Sequence, residues 1–141
     1  MRQVGPKRPL NQCLRPDDPQ YGGPDIEGYR GSTPAAHVRL PLSRVSAGGG
    51  MDYPTDRAGL QELRATERAM GPTRRGFNDS AKRISGMVTH LERGGKLPEV
   101  VGERLPDGQV LVWDGYHRLS ASKIAGQDSI DAFVAPVRKP R

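Results

Sequence analysis

Five consecutive residues, Asp114-Gly115-Tyr116-His117-Arg118, place a carboxylate, an imidazole and a guanidinium around a glycine, where an apolar run gives way to a helical pattern. A strand that ends in Asp-Gly and passes directly into a helix leaves backbone N–H groups unpaired at the mouth of a sheet. Those donors, with the positive end of the helix macrodipole, draw anions. Gly115 lets the backbone approach a ligand closely. Arg118 in the first turn suits a phosphate clamped through two donors, His117 can add a hydrogen bond or move a proton, and Ser120 lies within a turn of both. Tyr116 covers either a base or nothing. Asp114 would repel phosphate, so its open roles are to cap the helix, to orient His117 or Arg118, or to hold a divalent cation such as Mg2+. On spacing alone the plainer alternative is a capping aspartate beside two solvated cationic side chains.

The flanking elements can be read from periodicity. Val110-Leu111-Val112-Trp113 predicts the strand that delivers Asp114, with Val100-Val101 as its hairpin partner across a turn at Leu105-Pro106-Asp107-Gly108. A helix is predicted from about Tyr116 to Ala125, stopped by Gly126, and a last strand over Ile130 to Val134. Upstream, Ile84, Met87, Val88 and Leu91 recur at helical spacing between an Asn78 or Asp79 cap and Gly94-Gly95. Another helix runs from Arg57 to Met70 behind an Asp56 cap. His37-Val38-Arg39-Leu40-Pro41-Leu42 alternates as a half-buried strand, Pro41 marking an edge or a strand end, and Ser46 to Gly50 reads as a flexible link. Trp113 is expected in the core beside the site, and His37 and His90 are expected in solvent.

Residues 1–36 read as an extended arm with little regular structure, since the first 35 contain six Pro and five Gly. So little apolar surface needs something to lie against: its own domain, a second copy or a larger assembly. The formal charge of +6 suggests an anionic partner. The excess cations fall in residues 56–96 and in the basic tail, residues 137–141, rather than in the motif. No aromatic platform is interleaved with Arg74-Arg75, so solvated charge is the first reading there and a nucleic-acid footprint the second. One cysteine, Cys13, excludes an internal disulfide and favours a reducing, cytoplasmic setting. No run of about 20 apolar residues is present, and none of the usual marks of a leader opens the chain, so a membrane partner is not expected.

The block from Val112 to Gly126, followed by Ile130-Asp131-Ala132-Phe133-Val134, resembles the ParB/sulfiredoxin superfamily pattern of strand, Asp-Gly-x-His-Arg, helix, Gly and strand. Leu97-Pro98-Glu99-Val100-Val101 is similar to that family's Pro-containing strand. The resemblance spans residues 37–136. It implies a compact α/β (α+β) domain, a small mixed sheet with flanking helices preceded by the Pro/Gly-rich arm. It also implies that the motif binds the phosphates of CTP, ATP or ADP through Gly115, Tyr116, His117, Arg118 and Ser120, with or without Mg2+, while Arg57 loosely matches the family's closing loop. Any catalysis, whether nucleotide or phosphodiester hydrolysis of a nuclease type, would fall to Asp114 and His117. Tyr116 stands where sulfiredoxins carry their cysteine, which argues against that activity. No helix-turn-helix follows, which argues against sequence-specific DNA reading and leaves nonspecific DNA association. Two alternatives stay open. One is an accessory protein of a phage or mobile element, located within the particle, that docks or self-associates through residues 1–36. The other is a small-molecule kinase, for which Asp52 and Asp56 are the nearby acids.

Overall fold

The computed structural model describes residues 2–13, 25–26, 28–47, 53–71 and 79–138. The expectations for Asp52, Asn78, Arg74-Arg75, the end of the Ser46–Gly50 link and the last three residues of the tail lie outside them. The chain is a mixed α/β domain. Its strands are β1 (Arg2–Gln3), β2 (Arg8–Pro9), β3 (Asp25–Ile26), β4 (Tyr29–Arg30), β5 (Pro34–Pro41), β6 (Val45–Ala47), β7 (Val100–Arg104), β8 (Val110–Asp114) and β9 (Ser129–Ala135). The helices are α1 (Leu10–Cys13), α2 (Arg57–Met70), α3 (Ser80–Glu92) and α4 (Tyr116–Ile124).

Seven strands form one sheet in the order β1-β5-β9-β7-β8-β6, with β2 also pairing β5, while β3 and β4 make a separate hairpin. β5 runs antiparallel to β9, and β9 runs parallel to β7. Directly opposed Arg39 and Asp131, 2.9 Å apart, mark the β5–β9 register. Pro41 falls at the end of β5, where no ladder donor is needed, and β5 itself lies inside the sheet. The Ser46 end of the expected link is instead the short strand β6, parallel to β8.

Alternation along the strands gives the sheet two apolar faces. Val38, Leu40, Val100, Val110, Val112, Ile130, Ala132 and Val134 point to one side, where Leu119 of α4 packs. Behind α4, Ala121 and Ile124 meet the Ile84 and Val88 stripe of α3, with Leu60 and Leu63 of α2 half-buried against them. Val101, Trp113, Phe133 and Ala135, with Ala35 of β5, form the other side, which is covered by Leu10 and Tyr29. The described residues of the arm therefore lie against their own domain, adding two two-residue strands and single apolar plugs. Trp113 belongs to this arm-facing side rather than to the core under the motif. His37, expected in solvent, has a side chain only 17% exposed, stacked on Phe133 with ring centroids 4.4 Å apart, because the arm passes over it at Gly5. His90 is exposed and meets the Lys96 carbonyl at 3.0 Å.

A bulge between Val101 and Gly102 shifts the β7–β8 register. A side chain at Gly102 would run into the Leu111 carbonyl, so close backbone approach requires glycine there. Beyond the bulge, Glu103 is 5% exposed, and Arg138, Trp113 and Tyr29 surround its carboxylate.

Candidate functional site

β8 ends at Asp114, and the backbone turns through Gly115 at φ 106 into α4. That left-handed value is open to glycine at little cost and strained for other residues. Gly115 has no side chain with which to cap α4, whose first turn follows it directly. Space under the turn is full: a Cβ at Gly115 would stand 2.7 Å from Val100 Cγ1 and 3.0 Å from an Arg118 nitrogen.

Arg118 is 4% exposed and folds back beneath the glycine. Its guanidinium donates to the Glu99 carbonyl and lies 3.4 Å from Asp114 Oδ2. Asp114 Oδ2 is buried and, among the described residues, accepts no hydrogen bond, so the ion pair is what balances its charge. Asp114 thus faces Arg118, and among the described residues no three His, Cys, Asp or Glu side chains gather as a metal cluster. The side chains fit a protein-held divalent cation poorly. Any Mg2+ here would be carried by a ligand's phosphates.

His117 points across to the start of α3, where its Nε2 meets Ser80 Oγ at 2.9 Å. The ring packs against Tyr53, with centroids 4.7 Å apart. Its pKa is lowered first by burial and then by nearby Arg83, while Asp79 and Glu67 pull the other way. A neutral imidazole, able to accept or donate one proton, therefore joins the N-terminal ends of two helices.

Ser120 is buried and donates to the Pro54 carbonyl at 2.5 Å. Its hydroxyl pins the segment before α2 rather than opening to solvent. Tyr116 is half-buried, packs against the core and, with Tyr53, Pro54, Leu119, Ser120 and Lys123, lines a small hollow beside the motif. Arg57 is not brought to this place. Its guanidinium pairs with Glu92 at 2.9 Å, at the far end of α3, about 18 Å from Ser80 along the helix.

The structure thus gathers Asp114, Gly115, Tyr116, His117, Arg118 and Ser120 at one junction and adds Tyr53 and Ser80. Neither addition carries a sequence signal of its own, since both reach the motif by tertiary packing. Among the described residues, no helix is long and apolar enough to cross a membrane.

No family model matches the chain, and no curated protein matches it either. Among solved structures it is similar to the crystal structure of the C-terminally truncated chromosome-partitioning protein ParB from Caulobacter crescentus complexed with CTP-γ-S. The two share 15% identity with a TM-score of 0.44, over 73% of this chain and 46% of that one. The chain therefore spans less than half the length of that protein's chain. What that protein binds does not carry over through a likeness of this degree.

Proposed function

We propose that this domain binds the phosphate groups of a nucleotide at the junction of β8 and α4. The observation that carries the reading is the left-handed Gly115 opening directly into α4, with His117 reaching from its first turn to Ser80 at the start of α3. Two helix N-termini and a neutral imidazole then converge on one anion. In this reading Arg118 acts from below. Its buried charge supports the turn while its donors are engaged by Glu99 and Asp114. His117 is the direct phosphate contact, and Tyr116 and Tyr53 flank it.

The motif's resemblance to the ParB/sulfiredoxin pattern supports a nucleotide over inorganic phosphate. CTP, ATP and ADP all present the required groups, and Mg2+ would arrive with them. Docking through the arm is the weaker alternative, because the arm's described apolar residues are spent on their own sheet.

Calorimetric titration with CTP, ATP, ADP and GTP, with and without magnesium, tests this directly. We expect the wild type to bind at least one of them and His117→Ala to weaken that binding by at least about tenfold while remaining folded. Equal affinity in both proteins, or no binding to a folded wild type, would sink the assignment.

A further inference from the structure

The α3 N-terminus is already occupied by a carboxylate that comes from another helix. Glu67, near the end of α2, accepts from Ser80 N at 3.0 Å through Oε2 and from Ala81 N at 2.7 Å through Oε1. Asp79, the cap by position, makes no capping bond and pairs instead with Arg83 at 3.2 Å. Ser80 is also the residue whose hydroxyl meets His117. The carboxylate and the imidazole therefore meet the same residue, Ser80, one at its amide and the other at its hydroxyl, and the charge of Glu67 opposes the effect of burial on the His117 pKa.

We propose that Glu67 is an internal stand-in for the ligand's phosphate, a competitor that sets affinity and couples the site to α2. The inference rests on the phosphate-binding reading above. A carboxylate and a phosphate cannot hold the same two amides, and their like charges repel at that range. A phosphate bound between α3 and α4 expels Glu67. The other anchors of α2, the half-buried Leu60 and Leu63 and the Arg57–Glu92 pair, lie in its first half. The second half is exposed through Met70, 68% accessible, and Glu67 ties it to the start of α3. Ligand binding therefore loosens the end of α2 while its beginning stays in place.

The test titrates wild type, Glu67→Gln and the control Glu62→Gln with ATP and with inorganic tripolyphosphate, and follows backbone amide signals of residues 64–70 and 80–81. Glu62 is exposed on the same helix and reports any effect of net charge alone. The expected result is tighter binding of both probes to Glu67→Gln, by about tenfold, with Glu62→Gln unchanged. In the wild type, probe binding moves the amide signals of both segments. Unchanged or weaker binding by Glu67→Gln, beside a wild type that binds, overturns the competitor role and leaves the phosphate site standing. An equal gain in Glu62→Gln also overturns it. Failure of every protein to bind either probe overturns both readings.

Discussion

Replacing Gly115 with alanine should destabilise the domain in two separable ways. An L-residue held at φ 106 incurs a backbone cost of about 1–2 kcal/mol. The new methyl group would also stand 2.7 Å from Val100 Cγ1 and 3.0 Å from the Arg118 guanidinium. Val100 is completely buried in β7 and has no room to retreat, so the overlap adds about 1–3 kcal/mol. Reduced freedom of the unfolded chain returns about 0.4–1 kcal/mol. The net loss is about 3 kcal/mol, which for a chain of this size lowers the melting temperature by about 10 °C. Gly126→Ala is the matched control: its φ is 72, but nothing lies within 4 Å of the position a Cβ would take. It should lose only the backbone part, about 1 kcal/mol. Thermal unfolding followed by circular dichroism measures both variants. Equal losses would mean that the space beneath Gly115 is not filled as described, and the account of the turn would fail with it.

The remaining predictions concern charge. Burial holds His117 below its ordinary pKa of 6.5, so between that value and the lower folded one the unfolded chain binds the proton more readily. Its contribution to stability is complete above pH 6.5 and is lost as pH falls through the folded value. His117→Gln should flatten the fall in melting temperature over that window, and an unchanged slope would assign it to another group. Glu103→Ala should cost about 2 kcal/mol in urea unfolding, because buried Trp113 Nε1 and the half-exposed Arg138 lose their bonds to the carboxylate, while Tyr29 keeps the Pro136 carbonyl. The same variant should lower the Tyr29 pKa from about 12, where burial chiefly and Glu103 secondly hold it, as an ultraviolet titration would show. A stable variant with an unmoved tyrosine would refute the cluster's role.

Much of the scaffold was legible because its signals are local. Asp56 caps α2 through Gly59 N at 2.7 Å, as its position before an apolar stripe implied. The α3 stripe, the β7–β8 hairpin, α4 and β9 also follow their periodicities. The motif could be read because residues 114–118 are contiguous. Tyr53, Ser80 and Glu67 could not be read that way, since each meets His117 or its partner through helix packing, and Ser80 alone is an ordinary first-turn serine. The arm hid its structure for a different reason. β1 and β2 are too short to show a period, and Leu10 and Tyr29 are isolated plugs whose burial is decided by the sheet they land on. Glu103 breaks the apolar pattern of β7, and its partners Trp113, Tyr29 and Arg138, the last two distant in sequence, explain why a carboxylate is tolerated there.

The position of β9 has a consequence for how the protein is made. Among the described residues it is the strand nearest the C-terminus, yet it lies between β5 and β7, which have no other link through the sheet there. Until residues 129–135 are synthesised, a nascent chain holds two partial sheets with raw apolar edges facing each other across a gap. Closing it joins His37 to Phe133, a pairing that spans most of the chain and makes sheet completion a late, slow event. A ribosome stalled before Ser129 would therefore carry two templates for wrong pairing, with each other or with a neighbouring chain, which makes truncated products of this domain prone to aggregate.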